Sequence, residues 1–222
     1  MLLGPLAAAQ QEPSAEPTTV VLALHAGSRS GENLRTNLGW GDQRQGIDIL
    51  YPDGDGGHWN SGWDASQSTR DDVSYLLDLV AGYDRVLLYG QSQGGMMAYR
   101  LACEHPELID RIAVESAAVA VDVCAPEGIE VTHWHGKLDT TVPKWGNGDL
   151  WPLWRTRRTF SAECGTEVRR LLPDGAWAIR FRDCPGMTGP YAVETRVYPD
   201  RGHTGYPEIW PAYAWWWLTH AG

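Results

Sequence analysis

The sequence lacks any apolar run near the roughly 20 residues that cross a bilayer as a helix, so no helical span is expected. It also lacks a basic excess. Eighteen Lys and Arg stand against 28 Asp and Glu, a formal charge of −10. That balance argues against nucleic acid and anionic membrane as partners. No C-x-x-C or H-x-x-x-H spacing occurs, so no metal site is expected. Phe is nearly missing, with two residues against twelve Trp. Internal repeats are absent, and low complexity is confined to the N-terminus. What remains is 222 residues, 43% of them hydrophobic, enough for one domain with a full core rather than a disordered chain.

The N-terminus lacks the basic stretch that begins a signal peptide. Even so, Met1 to Gln10 runs into Ala7-Ala8-Ala9, the small-residue pattern of a signal-peptidase site. Residues 1–18 read as a signal-peptide remnant and a polar linker, and 19–222 as one domain. The four Cys fit an exported protein with two disulfides, for which three connectivities exist. Cys164 and Cys184 bracket one segment and form the natural local pair, which leaves Cys103 with Cys124.

Short apolar runs read as strands: Thr19–Leu24, Ile47–Tyr51, Arg85–Tyr89, Ile112–Glu115, Ile129–Trp134 and Tyr191–Tyr198. Helical patterns fall between them. One opens at Asp71-Asp72 and carries Val73, Leu76, Leu77 and Val80. The others are Gln93–Glu104, Leu150–Ala162 and Pro207–Leu218. Alternating strands and helices predict an α/β fold, a mostly parallel sheet covered on both faces. Glu163–Pro190 breaks the alternation and reads as a small, disulfide-pinned β-excursion with a turn at Pro173-Asp174-Gly175.

Ser92 lies in Gly90-Gln91-Ser92-Gln93-Gly94, after a strand and before a helix. A nucleophile elbow needs that context, with glycines where side chains would strike neighbouring backbone. A helix N-cap serine would give the same local sequence. Partners in chain order decide between the two readings. Asp139 follows the strand that ends near Trp134, and His203 follows the last strand, giving the order Ser, acid, His. Asp149 and Asp122 compete for the acid; His133, His135 and His220 read as structural histidines. In this arrangement His203 takes the Ser92 proton, Asp139 holds the imidazole, and an acyl-enzyme forms and is hydrolysed. The oxyanion donors are expected to be the Gln93 N–H and a turn N–H after the first strand, with Gly27 favoured.

These motifs resemble those of the polyhydroxybutyrate depolymerase and feruloyl esterase group of α/β-hydrolases, the secreted LpqC-like esterases. The resemblance is carried by Leu24-His25-Ala26-Gly27, Tyr51-Pro52-Asp53-Gly54, Gly90 to Met97, His135 to Pro143 and Gly202-His203-Thr204. It implies an α/β-hydrolase fold, the triad Ser92, Asp139 and His203, and ester hydrolysis with no cofactor. Expected substrates are feruloyl-type esters or polyhydroxyalkanoate-like polyesters, small or polymeric. His25-Ala26 stands where the family carries His-Gly, and the path from Trp63 to Asp71 is short. Trp59, Trp63 and Trp145 are expected to form an aromatic substrate rim, and Trp134 to pack. Asp53-Gly54-Asp55-Gly56-Gly57 begins like a calcium loop, but His58 occupies the sharp-turn position, so it reads as a glycine-rich turn. An acyltransferase, a serine peptidase and a non-catalytic Trp-rich binding protein are the alternative readings. The oligomeric state is not encoded in any of these patterns.

Overall fold

The computed structural model describes residues 18–64, 67–185, 192–203 and 210–220. The expected signal remnant lies outside these residues, as do Tyr191, Thr204 and the start of the last expected helix.

The first strand, β1 (Thr19–Leu24), is buried along its whole length, as a doubly covered strand of Val, Leu and Ala should be. Helix α1 (Gly31–Leu38) follows, capped by Ser30, whose side chain accepts from the Asn33 N–H, and ended by Gly39 in the left-handed region. The sequence reading missed this helix because only Leu34 and Leu38 mark its buried face. A two-residue strand, β2 (Gln43–Arg44), turns into β3 (Ile47–Leu50). Helix α2 (Asp72–Val80) leads to β4 (Arg85–Gln91), and α3 (Gln93–Glu104) leads to β5 (Arg111–Glu115) and β6 (Glu130–Gly136). Helix α4 (Leu153–Phe160) starts after Pro152, three residues later than its pattern predicts. Strands β7 (Thr166–Leu171), β8 (Trp177–Arg182) and β9 (Val193–Tyr198) precede the final helix α5 (Trp210–Thr219).

One sheet results, in the order β2-β3-β1-β4-β5-β6-β9-β8-β7. Its centre, from β3 to β9, is parallel. The expected disulfide-pinned β-excursion is present, and it lies in the main sheet. Strands β7 and β8 form a hairpin that continues the main sheet, with β8 antiparallel to β9. Pairing with β9 satisfies the hairpin's backbone and leaves one edge instead of two.

Two cores flank the sheet. Val73 and Leu76 of α2, Met96 and Met97 of α3 and Phe160 of α4 pack on one face. Leu34 and Leu38 of α1 and Trp215, Trp217 and Leu218 of α5 pack on the other. The chain leaves β1 toward β3 on one side, then crosses to β4 on the other. The loops after β1 and β4 therefore diverge, and a crevice opens at the carboxyl ends of these strands.

Both disulfides join the partners expected. Cys103–Cys124 ties the end of α3 to the loop after β5, and Cys164–Cys184 closes the base of the hairpin. The separations are 21 and 20 residues, loops that should each contribute about 3 kcal/mol by restricting the unfolded chain. Replacing Cys164 and Cys184 together by Ala should lower Tm by about 6–12 °C in calorimetry. An unchanged Tm would show that this bridge adds nothing to stability.

Candidate active site

Ser92 sits in the turn between β4 and α3 with φ 50 and ψ −116. For a residue with a Cβ this is strained backbone, costing about 1–3 kcal/mol. The glycines on either side make it possible. A Cβ on Gly90 would lie 2.5 Å from the Gly94 carbonyl oxygen, and one on Gly94 would lie 2.2 Å from that of Leu24. Helix, elbow and strands can approach this closely only without those side chains. The turn is further fixed by the Ser92 N–H, which donates to the Glu115 carbonyl at 2.9 Å.

Two distant loops bring the other groups to Ser92. The ends of β6 and β9 are strapped together by Lys137 N–H to Tyr198 O and Leu138 N–H to Arg201 O, both 2.8 Å. Asp139 and His203 project from this strap. Ser92 Oγ lies 2.8 Å from His203 Nε2, and His203 Nδ1 lies 2.8 Å from Asp139 Oδ2. The other Asp139 oxygen accepts from the Thr141 and Val142 amides at 2.9 and 2.8 Å. Burial works to raise the Asp139 carboxyl. The His203 hydrogen bond, the Val142 amide and the nearby imidazoles outweigh it and hold the group below the usual carboxylate range. An ionised Asp139 keeps the His203 proton on Nδ1 and leaves the Nε2 lone pair facing the serine hydroxyl.

A family model described as alpha/beta hydrolase fold matches residues 19–215. The chain belongs to the alpha/beta hydrolase fold family. Among solved structures it is similar to esterase PE8, at 19% identity and TM-score 0.59, over 92% of this chain and 93% of that one. It is also similar to a carboxylesterase from Mesorhizobium loti, at 15% identity and TM-score 0.57, over 92% and 90%. A third similar structure is the protein Atu2452 of unknown function from Agrobacterium tumefaciens, at 19% identity and TM-score 0.60, over 94% and 93%. At these identities the likeness is one of fold. No curated protein sequence matches the chain.

In this α/β-hydrolase the competing acids stand apart. Asp122 and Asp149 are exposed and hydrogen-bond no histidine among the described residues. His220, at the exposed end of α5, is bonded to the Trp216 carbonyl. His133 and His135 are buried in a chain of hydrogen bonds behind Asp139. The Tyr99 hydroxyl is 2.7 Å from His133 Nδ1, His133 Nε2 is 3.1 Å from His135 Nδ1, and His135 Nε2 is 2.9 Å from the Val142 carbonyl. Burial lowers the pKa of both imidazoles. Each neutral ring then donates one hydrogen bond and accepts one, so no charge is stranded. The chain ends on the turn that presents Asp139. A buried pair of histidines two residues apart on a strand was the available signal for it.

The two residues expected to supply oxyanion donors line the same cleft. Gln93 is the first residue of α3, and Gly27 lies in the loop after β1, lining the same cleft. Neither backbone N–H donates a hydrogen bond among the described residues. The Gln93 side chain is held by the Trp59 N–H at 3.2 Å and by His58 Nδ1 at 3.3 Å, and a Cβ on Gly27 would lie 3.0 Å from its Oε1. The loop is anchored by His25, whose Nδ1 faces the Ala26 carbonyl at 2.8 Å while its Nε2 accepts from the Gly54 N–H at 2.9 Å. Asp53 to His58 thus serves as a turn supporting this loop. No metal-holding cluster occurs among the described residues.

The cleft over Ser92 has a volume of about 780 Å³. Of the three tryptophans expected at its rim, only Trp63 lines it. Trp59 is a correction. It is fully buried, stacked near His25, with its indole N–H donating to the His25 carbonyl at 2.9 Å, so it shapes the loop and cannot touch a substrate. Trp145 is 72% exposed beneath Lys144 and lies outside the cleft lining. Trp134 is buried against Tyr213. The sequence reading gave no weight to the polar side chains that make up most of the lining, Glu115, Asn33 and Asn37 among them.

Exchanging Asp139 for Asn should lower kcat for p-nitrophenyl butyrate by about 10³–10⁴, because the amide no longer enforces the tautomer. Asp149→Asn should leave kcat unchanged. Equal effects of the two substitutions would remove Asp139 from the acid role.

Proposed function

We propose that this α/β-hydrolase is a secreted serine esterase that cleaves carboxylic esters through an acyl-enzyme on Ser92. One observation carries the reading: the unbroken chain from Ser92 Oγ to His203 to Asp139, with both links at 2.8 Å, opening on a cleft. In it His203 Nε2 accepts the serine proton as Ser92 attacks the ester carbonyl, and returns that proton to the departing alkoxide. Water then repeats the sequence on the acyl-enzyme. The developing oxyanion takes the Gln93 and Gly27 N–H groups, each worth about 10²–10³ in rate. The positive end of α3 favours the same charge.

Export is supported by the two disulfides. The resemblance to feruloyl esterases and polyhydroxybutyrate depolymerases points to feruloyl-type esters or polyhydroxyalkanoate-like polyesters. Similar solved structures include an esterase, carboxylesterases and an acetyl xylan esterase from Aspergillus awamori, which fits ester chemistry. With Trp59 buried and Trp145 remote, Trp63 is, among the described residues, the indole available to an aromatic acyl group.

Ser92→Ala should lose at least about 10³-fold in kcat/KM on p-nitrophenyl acetate and butyrate. Activity within a few-fold of the parent would reject the nucleophile. Formation of a new ester on adding an alcohol would mark an acyltransferase, and cleavage of matched amides at comparable rates would mark a peptidase.

A further inference from the structure

Among the described residues, Glu115 is the one acidic side chain that lines the cleft. It ends β5, paired in register with Gln91 on one side and Trp134 on the other, so its carboxyl stands next to the elbow. Its own carbonyl holds the Ser92 N–H. The next residue, Ser116, takes φ 47, a strained conformation that fixes where the strand stops. Among the described residues the Glu115 carboxyl makes no hydrogen bond and no ion pair. A solvated surface glutamate would need no partner, but this one is only partly open, and its opening is the cleft itself.

The groups around it offer no counter-charge in contact. Arg29, His25, His58 and His203 share the cleft but do not bond to it. Tyr89, two residues before Gln91 on β4, is buried and uncharged. Helix α1 contributes Asn33, Thr36 and Asn37, all neutral. Helix α5 packs on β5, but its titratable groups are committed, Tyr213 to Glu194 and His220 to the Trp216 carbonyl.

We propose that Glu115 is a specificity-determining residue whose carboxyl recognises a hydroxyl group on the ester substrate. A carboxylic acid can donate its O–H to the hydroxyl oxygen and accept the hydroxyl proton on its carbonyl oxygen. Esters bearing a free hydroxyl near the scissile bond are then preferred over their deoxy analogues. Desolvation by the surrounding protein supports the protonated form and pushes the group up to about 8. The donor is therefore present below that pH and is lost above it.

This inference rests on the Ser92 reading. The test uses two matched pairs: p-nitrophenyl 3-hydroxybutyrate against p-nitrophenyl butyrate, and glyceryl monobutyrate against propyl butyrate. The first pair places the hydroxyl on the acyl half and the second on the alcohol half. The quantity read is the ratio of kcat/KM within a pair from pH 6 to 9.5, in which pH effects common to both esters cancel. The parent should prefer the hydroxylated member of at least one pair by about tenfold at pH 7, the scale of one hydrogen bond. The preference should fade as pH rises through about 8. Glu115→Gln should keep the preference at every pH, and Glu115→Leu should abolish it while retaining activity on the deoxy ester. No preference in either pair, or an unchanged preference in Glu115→Leu, would overturn the proposal. So would a preference that grows above pH 8, which would mean that the ionised carboxylate, acting only as an acceptor, reads the hydroxyl. Ser92→Ala measured on the same esters separates the two claims: if it stays active, the esterase reading fails; if it is dead while the ratios ignore Glu115, only this inference fails.

Discussion

The site depends on one close approach of backbones. Gly94 sets the first turn of α3 against the end of β1, where a Cβ would lie 2.2 Å from the Leu24 carbonyl oxygen. Because helix and strand meet there, the chain between β4 and α3 has no slack, and Ser92 takes a positive φ. The strain is sustained by the surrounding sheet, which over-determines the turn. The same approach places Gln93 beside Gly27, one at the start of α3 and one in the loop after β1, and among the described residues neither N–H donates a hydrogen bond.

Electrostatics around the site follow from how little water reaches it. Asp139 stays ionised against burial because its oxygens receive hydrogen bonds from His203 and from two amides. His133 and His135 are kept neutral by burial and are spent as links in a hydrogen-bond chain. Glu115 has neither kind of help, and so its proton is retained to higher pH. Three outcomes of burial thus sit within one group of strand ends: a stabilised anion, neutral links and a retained acid.

Much of this was legible from residue order. The strand Thr19–Leu24 and the helix Gln93–Glu104 were read to the residue, because an uninterrupted apolar run and a proline just past a helix, here Pro106, are local signals. The elbow was legible for the same reason. Helix α1 was not, since two leucines and a serine cap give little periodicity to a polar segment. The β7–β8 hairpin was recognised as β structure, but its membership of the main sheet depends on pairing with β9, which no local pattern records. Trp59 was misplaced because an indole near the active face reads as a contact surface, and only the fold reveals that its N–H is taken by His25. Glu115 gave no signal at all. A glutamate closing a strand normally reaches water, and its lack of a partner exists only in three dimensions.

The most direct measurement of the central claim is covalent trapping at Ser92. The protein is incubated with a fluorophosphonate and then examined by intact mass and peptide mapping. The account predicts a single adduct, mapped to Ser92, that forms rapidly in the parent and at least about 10³-fold more slowly when His203 is replaced by Ala. An adduct on another residue, or Ser92 labelling at an equal rate without His203, would contradict it.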